Sequence, residues 1–474
     1  MTLRIRGKGA LRIALGASTI LAGGVALPAA AQDMSGTPAP PTQMMVDANG
    51  VDLRSSQITL STTDLTIGDE GSGMVYSRFW GGTGWLDNVT ARLDRTGTTA
   101  TVVFANDSDM FLGNTTTGYT AVVENGATLT YDHATKRHTY TSSQGRKVRF
   151  AVTLSYWDNQ LVDDVIEVIE PDGEVINLTH KAGTVGTCTP GAACTRYVRL
   201  QSATSTNGYQ LKLEYQSNDA SNLGNAAARA AWMNVVKATA LNNAVDHCNP
   251  SADSCSFTQS WPNVTYVSTT SGTDKVLTVT DPAGRATRYT IDSTGYLKAI
   301  KRPTSGTDNV TITYSGVGGN KRVASVIRDG KTWQYGYWKG ADGELETTIT
   351  DPLLKTTTVM NYGTLSVTNP LGQTTVYLPR GENTYHWIEA PEDDKVSYTY
   401  DARGNVTQTT RAAKPGSGLA SIVTSATFAA TCTNALVCNK PLTTTDTNGK
   451  VTDYTYDAVH GGVLTVTRPP CTAS

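Results

Sequence analysis

The fold is decided by a hairpin unit that the sequence repeats, most completely as DTNGKVTDYTYDAVHGGVLTVTR at residues 446–468. Asp446 and Gly449 frame one tight turn, and Asp457 and Gly461 frame the next. Asp side chains open such turns, and glycine takes the left-handed position within them. After each turn Thr, Val and Tyr alternate with a period of two, which is typical of antiparallel strands. The stretch therefore predicts paired β-strands joined by tight turns.

The turn that follows the tyrosine strand occurs three times in the C-terminal part of the chain. Each copy has a tyrosine strand, Asp, Gly, a short strand and an Arg seven residues after the Gly. The members of the three copies are Tyr289, Asp292, Gly295 and Arg302; Tyr398, Tyr400, Asp401, Gly404 and Arg411; and Tyr454, Tyr456, Asp457, Gly461 and Arg468. One unit cannot bury its own face, so neighbouring units must pack into a continuous sheet.

A second kind of turn precedes these tyrosine strands. It reads DPAG at 281–284, NPLG at 369–372 and DTNG at 446–449, each with a Tyr eight positions after its first residue. A fourth copy, DPLL at 351–354, keeps the start of the turn but has Leu354 in place of the glycine. The two turns alternate, and this predicts a regular succession of hairpins.

The tyrosine, aspartate and glycine hairpin followed by arginine resembles the YD motif of RHS/YD-repeat proteins. That family includes bacterial polymorphic toxins, shell subunits of insecticidal toxin complexes, and teneurins. The resemblance covers roughly residues 275–470 and implies a long β-sheet that spirals into a hollow shell, often around a C-terminal effector domain. The chain has only about four to six such repeats and lacks an effector region before Ser474. We expect either the front part of a longer shell, which the abrupt end and unpaired Cys471 favour, or a short stand-alone variant.

The composition also indicates an all-β protein. Charged residues make up only 17% of the chain, whereas it contains 21 Tyr and 44 Gly. This argues against helical bundles, coiled coils and doubly wound nucleotide-binding folds. We predict an antiparallel β region over 46–270, followed by YD-repeat hairpins over 271–474 that wind into a partial, open shell. One stretch, 225–245, is ambiguous: its first part, 225–233, permits a short helix, and the second could be a strand.

The N-terminus has the features of an export signal. A basic segment precedes the apolar residues 13–27, and Ala29-Ala30-Ala31 supplies a cleavage site after Ala31. Residues 32–45 form a Pro-rich leader that we predict to be disordered. Cleavage removes four of 39 basic residues and none of the 41 acidic ones, leaving a net charge near −6 that disfavours nucleic-acid binding. We expect a secreted, periplasmic or cell-surface protein without a stable membrane span.

Six of the seven cysteines form close pairs along the chain. The pairs are Cys188 with Cys194, Cys248 with Cys255, and Cys432 with Cys438. Structural zinc sites usually have a tighter C-x₂₋₄-C spacing and a second matching pair, so disulfides are the favoured interpretation.

Several fragments invite a catalytic or metal-binding interpretation, and in each case the structural alternative is favoured. GVGGNK at 316–321 lacks the ending of a phosphate loop and predicts a hairpin turn. His133 and His138 could be a metal pair, but the basic residues between them suit an exposed loop. Asp246-His247-Cys248 would be catalytic only with a free thiol. We therefore expect no enzyme activity, cofactor or metal.

Acidic clusters at 163–164 and 392–394 could serve glycoside hydrolysis only if two carboxylates converge in space. We interpret both as solvated turns. Asp107 and Asp109 supply too few oxygen ligands for a calcium site.

Aromatic residues suggest one further kind of site. Trp333, Tyr335 and Tyr337 share one face of a predicted strand, Trp338 faces the other way, and a second cluster lies at 385–387. An exposed row could bind sugar rings, whereas an internal row would be a packing layer, which we favour.

We predict an exported, non-catalytic structural protein that forms the N-terminal part of an RHS-type shell and encloses or presents an effector. Its partners would be a downstream effector or the remaining shell repeats. The alternatives are a cell-surface binding module for glycans or neighbouring cells and, third, a secreted glycoside hydrolase.

Overall fold

The computed structural model describes residues 46–53, 55–69, 73–82, 84–104, 107–154, 161–186, 194–316, 321–381 and 384–468. Apart from one short helix, the regular elements of these residues are strands, and the all-β prediction is confirmed. The predicted signal peptide and leader lie outside the described residues. In the described part of the chain, no helix has the length and apolar character needed to cross a membrane.

Four strands near the N-terminus form a separate antiparallel sheet, which we call the N-terminal sheet. They are β1 (Val51–Asp52), β2 (Gln57–Ile67), β3 (Met74–Gly81) and β4 (Gly84–Asp87). Alternate side chains of β3, from Met74 to Trp80, are buried, as period-two alternation requires for a strand with one covered face.

The other strands follow one another in a long antiparallel ladder, which we call the main sheet. Its first twelve strands are β5 (Ala91–Thr96), β6 (Thr99–Phe104), β7 (Asp107–Asn114), β8 (Gly118–Ala121), β9 (Thr128–Asp132), β10 (Arg137–Thr141), β11 (Lys147–Leu154), β12 (Leu161–Ile169), β13 (Val175–Gly186), β14 (Cys194–Ser205), β15 (Tyr209–Tyr215) and β16 (Val235–Asn242). Strand β12 pairs with β11 and β13 and also with β5, through Asp163 opposite Leu93.

The ladder continues without interruption through the predicted boundary at residue 270, where β17 pairs with β18. The remaining strands are β17 (Asn263–Ser271), β18 (Asp274–Thr280), β19 (Ala286–Ile291), β20 (Leu297–Lys301), β21 (Val310–Ser315), β22 (Arg322–Arg328), β23 (Lys331–Lys339), β24 (Leu345–Thr350), β25 (Thr356–Tyr362), β26 (Thr364–Thr368), β27 (Thr374–Gly381), β28 (Thr384–Glu389), β29 (Lys395–Tyr400), β30 (Val406–Arg411), β31 (Ile422–Thr427), β32 (Thr443–Thr445), β33 (Val451–Tyr456) and β34 (Val463–Thr467). The sheet is open, because β34 pairs with β33 and with no other described strand.

The ambiguous stretch contains both predicted elements. Helix α1 (Ala226–Met233) begins after Asn225, whose Oδ1 accepts hydrogen bonds from the backbone N–H groups of Ala227 and Ala228 at 2.9 and 3.1 Å. This is the usual capping role of an asparagine at a helix start. The second half of the stretch is β16.

The hairpin turns have the chemistry that the repeat predicts. Asp446 Oδ1 accepts hydrogen bonds from the backbone N–H groups of Asn448 and Lys450, and Gly449 has a φ of 76°. The turn of Asp351 keeps both hydrogen bonds, but its left-handed position is occupied by Leu354, with a φ of 62°. Side-chain capping thus sets the turn even where the favoured glycine is missing.

One hydrophobic core lies between the N-terminal sheet and the face of the main sheet that carries Tyr289 and Tyr335, which we call the inner face. The N-terminal sheet packs against β15, β16, β17 and β22. Along the chain, the last fully buried member of this core is Leu365 on β26. Tyr377 of β27 is partly buried against the same core, and among the described residues no strand beyond β27 contributes to it.

Candidate functional site

A recurring hydrogen bond explains the second tyrosine of the YD unit. Tyr400 Oη donates to the backbone carbonyl of Tyr385 at 2.5 Å, and Tyr456 Oη donates to that of Pro441 at 2.7 Å. The acceptor is fifteen residues earlier in both cases. Burial raises the pKa of Tyr400 and Tyr456 to about 12, so each hydroxyl stays protonated as a donor.

The same tyrosine bond occurs where the sequence motif is weak or absent. Tyr314 donates to the carbonyl of Leu297, Tyr337 to that of Val323, and Tyr215 to that of Leu200. Tyr215 belongs to the region that precedes the recognisable repeats. Sequence reasoning missed this bond, although a tyrosine near the end of a strand and about fifteen residues after an earlier strand was the available signal.

The other motif residues divide between the interior and the turns. Tyr289 and Tyr454 are buried on the inner face, and Tyr398 is half-buried. Asp292, Asp401 and Asp457 each cap a turn by accepting backbone N–H groups; the motif glycines, each with positive φ, are Gly295, Gly404 and Gly461.

Asp292 shows how the environment acts on a turn carboxylate. Its partial burial acts to raise the pKa, but hydrogen bonds from Lys321 Nζ at 2.8 Å and from the turn outweigh burial and hold the pKa of Asp292 well below its usual range. The motif arginines are not part of this arrangement: Arg302 and Arg468 are exposed and Arg411 is half-buried.

A buried ion pair of the N-terminal sheet, between Asp64 and Arg78, is linked to the main sheet by a tyrosine hydroxyl. The Asp64 carboxylate accepts hydrogen bonds from the Arg78 guanidinium and from Tyr266 Oη of β17, the latter at 2.6 Å. The guanidinium carbon lies 4.2 Å from the centre of the Trp85 ring, and that ring meets Tyr289 edge-on at 5.1 Å. A tyrosine of the first repeat therefore contacts the N-terminal sheet directly.

A second buried contact lies around Tyr335 of β23. Its hydroxyl donates to Asp47 and accepts from Asn49 Nδ2 at 2.9 Å. Burial raises the pKa of Asp47. The row of Trp333, Tyr335 and Tyr337 thus packs against the core on the inner face, as the packing interpretation predicts, whereas Trp338 is exposed on the opposite, outer face.

Turns from distant parts of the main sheet meet at a contact that we call the seam, formed by residues 124–126 and 142–145 against 380, 403–405 and 432–440. Arg380 donates through Nη1 to the carbonyl of Glu124 at 3.0 Å and through Nη2 to its carboxylate at 2.8 Å. Asn439 Nδ2 donates to the carbonyl of Ser143 at 2.9 Å. These residues are 256 and 296 positions apart, so the sheet curls back until late turns touch early ones.

The loop closed by Cys432 and Cys438 is the late side of the seam. The Arg403 guanidinium donates to the backbone carbonyls of Cys438, at the end of this loop, and of Ala430, just before its start, both at 3.3 Å. Gly404, the motif glycine beside it, has no room for a side chain, because a Cβ there would collide with the carbonyl oxygen of Glu124. The motif glycine therefore serves both its turn and the seam.

A second disulfide, Cys248–Cys255, closes a loop over the outer face of β14–β16. Beneath it, Lys212 Nζ donates to the carbonyls of Ala252 and Pro250, and Lys181 pairs with Asp253 at 2.7 Å. Lys212 is fully buried, and burial lowers its pKa to about 8. Cys188 and Cys471, as well as the side chain of Cys194, lie outside the described residues.

The prediction of an exposed loop at both histidines is wrong for His138. His133 is exposed, but His138 is fully buried on β10, where its Nε2 lies 3.0 Å from Tyr119 Oη. The basic residues between the two belong to the turn and strand start, and alternation turns His138 inward. No group of three or more potential metal ligands is present in the described residues.

The interpretation of 163–164 as a solvated turn is also wrong, because both residues lie on β12, and Asp164 pairs with Arg196 at 2.5 Å. The residues 392–394 do form an exposed turn between β28 and β29. Asp246 accepts hydrogen bonds from Thr258 and Trp261, while His247 is exposed.

The loop at 316–321 joins β21 to β22, which pair as a hairpin, and 317–320 lie outside the described residues. The Asp109 carboxylate accepts hydrogen bonds from Asn125 and Tyr140.

Comparisons with known proteins give only distant similarity. No family model and no curated protein matches the chain. Among solved structures, TcdB2-TccC3 without its hypervariable C-terminal region is 12% identical over 84% of this chain and 22% of its own, with a TM-score of 0.32. TcdB2-TccC3 and TcdB2-TccC3-TEV are 13% and 10% identical over 78% and 92% of this chain, with TM-scores of 0.32 and 0.29. The chain spans less than a quarter of those proteins, at 22% and 24%.

Proposed function

We propose that this protein is an exported, non-catalytic structural protein whose main sheet is part of the wall of an RHS-type shell that encloses or presents an effector. The seam is the observation that carries the proposal. A wall that winds round itself must join its successive turns at their edges, and the contacts of Arg380 with Glu124 and of Asn439 with Ser143 make such a junction across more than 250 residues.

The arrangement of the inner face supports the same function. Its front part is covered by the N-terminal sheet, through Asp64, Arg78 and Tyr266. Among the described residues nothing covers the last strand in this way: every residue of β34 is exposed. In a shell, this uncovered part of the wall would face further repeats or the enclosed effector, which are the partners we propose.

The absence of catalysis is part of the proposal. The acidic residues that most resembled catalytic groups have structural partners. Asp246 accepts hydrogen bonds from Thr258 and Trp261, and Asp164 forms an ion pair with Arg196. Cys248 is in a disulfide and offers no thiol nucleophile.

Electron microscopy of the native exported product, captured with an antibody to residues 46–150, tests the proposal. We expect particles with a continuous protein wall around a lumen and a mature N-terminus at Gln32. A particle filled throughout by packed protein, without a lumen, would refute the shell function. Hydrolytic activity that survives repurification and is lost on carboxylate-to-amide substitution would refute the non-catalytic part alone.

A further inference from the structure

We propose that the outer face of β23–β25 binds a neutral polysaccharide, with Trp338 and Tyr362 as the stacking surfaces. This inference concerns the face opposite the core and does not depend on the shell function. Trp338 is 54% exposed and Tyr362 is 57% exposed. Two large aromatic side chains exposed on one sheet face offer flat ring surfaces on which a ligand can stack.

Strand register places the two rings on the same face. Trp338 is directly opposite Glu346, which is directly opposite Met360, and Tyr362 follows Met360 by two positions. Neighbouring strands lie about 4.8 Å apart, so the two aromatic side chains start from strands roughly 10 Å apart. An extended polymer lying across the strands could stack one sugar on each ring.

The surface between and beside the rings is rich in hydroxyl groups. Thr348 lies between Gly336 and Thr358 across the strands, and Thr358 is opposite Thr368 on β26. Gly336, two positions before Trp338, has no side chain, and a Cβ there would lie 2.5 Å from Thr348 Oγ1. The side of Trp338 toward Gly336 is therefore bordered by a hydroxyl instead of a bulky side chain.

The charge of this face selects the class of ligand. The outward positions of β23–β25 carry one carboxylate, Glu346, and no basic side chain. A polyanion such as nucleic acid or an acidic polysaccharide would be repelled, because its binding needs basic partners. A protein partner would need a contiguous apolar centre, whereas the Glu346 carboxylate lies between Trp338 and the apolar side chains of Met360 and Tyr362. Neutral sugars fit both features, since their C–H faces stack on aromatic rings and their hydroxyls bond to Glu and Thr oxygens.

Native affinity electrophoresis of the mature chain tests the proposal, with hydroxyethyl cellulose, laminarin, xylan or glycogen in the gel. We expect at least one neutral polymer to retard the wild type and Trp338→Ala or Tyr362→Ala to weaken that binding by roughly tenfold. Leu371→Ala is the matched control, because Leu371 is 82% exposed in the turn after β26, at the opposite end of that strand from Tyr362. All three side chains are exposed, and equal thermal midpoints would verify that the variants fold.

Three outcomes would overturn the proposal. They are no retardation by any neutral polymer, full retardation of the Trp338→Ala/Tyr362→Ala double variant, or stronger retardation by polygalacturonate than by every neutral polymer. Self-association that the double variant abolishes, without polysaccharide binding, would assign the face to a second copy of the chain and would also overturn it.

Discussion

The front and the end of the main sheet use the same hairpins but differ in what covers them. Strands up to β26 share one core with the N-terminal sheet. In β31–β34 the fully buried side chains are isolated, such as Ala426 and Tyr454, and Val463, Leu464 and Val466 are exposed. Both regions nevertheless have capped turns and tyrosine hydroxyl bonds, as Tyr314 and Tyr456 show.

This difference separates two sources of order. Turn capping and the tyrosine bond act between neighbouring hairpins and operate in both regions. Burial depends on a distant covering element, and only the front part has one among the described residues. The hairpin pattern alone thus pairs the strands, whereas the N-terminal sheet adds hydrophobic burial in the front part only.

The largest expected effect comes from weakening the attachment of the N-terminal sheet to the main sheet. The front strands of the main sheet would then lose the cover that distinguishes them from β31–β34. Asp64→Ala leaves the buried Arg78 guanidinium without its carboxylate, and we expect the free energy of unfolding to fall by about 3–5 kcal/mol. The matched control is Asp94→Ala, which breaks an ion pair with Arg92 that is half exposed or more and should cost less than about 1 kcal/mol. Urea unfolding measures both; equal losses would contradict a special role for the buried pair.

We expect Lys212 to make the stability of the protein depend on pH, because it lies where the front part of the main sheet is covered on both faces. The pKa of Lys212 is lowered to about 8 by burial, whereas the unfolded chain keeps a value of 10.5. Between these values the unfolded state binds a proton that the folded state does not, so this lysine makes stability rise with pH from about 8 to 10.5. The stability of the wild type relative to Lys212→Met should therefore increase by roughly 2–3 kcal/mol across that window. Denaturant titrations at several pH values measure it, and a constant difference would contradict burial as the cause.

A smaller effect separates the seam from an ordinary turn. Gly404 and Gly449 have φ values of 79° and 76°, but only Gly404 approaches another backbone, that of Glu124. Gly449→Ala should cost about 1 kcal/mol for its left-handed conformation. Gly404→Ala has the same cost and must also displace the seam, so we expect a loss of about 2 kcal/mol or more. Thermal midpoints of the two variants give the comparison. Similar shifts would mean that the seam accommodates the new side chain without further loss of stability.

The smallest expected effect tests the turn chemistry that both regions share. Leu354 is 85% exposed and has a left-handed φ of 62° in a turn whose equivalents use glycine. Leu354→Gly should stabilise the protein by up to about 1 kcal/mol, because strain is removed without loss of packing. Leu353→Gly, at the neighbouring exposed position, is the control and should not stabilise. A lower thermal midpoint for Leu354→Gly would show that the turn tolerates leucine without strain.

The features that sequence could predict are those set within a few residues. Asp446 and Gly449 predict their turn, the alanine content of 225–233 permits the helix found there, and alternation around Tyr335 separates the inner face from Trp338. Each depends on local hydrogen bonding or on the period of a strand.

The remaining features depend on how the whole sheet curves. Nothing near Asn439 indicates that it meets Ser143, since that contact follows from the twist accumulated over many strands. The failures at His138 and Asp164 have a related cause, because clusters of charged residues look like loops unless their strand partners are known. Residues that cap a turn can therefore be predicted from their neighbours in sequence, whereas residues that distant strands bring together cannot.

The seam also has a consequence for the order of folding. Its early half, at Glu124 and Ser143, is synthesised long before Arg380 and Asn439. Hairpins of neighbouring strands close within microseconds, whereas contacts of such large sequence separation form slowly. The late half also contains the Cys432–Cys438 bridge, and disulfide formation takes seconds to hours. The strands can thus pair one by one as the chain emerges, whereas the seam can form only after its late half has been synthesised, and its disulfide-closed loop is complete only after oxidation.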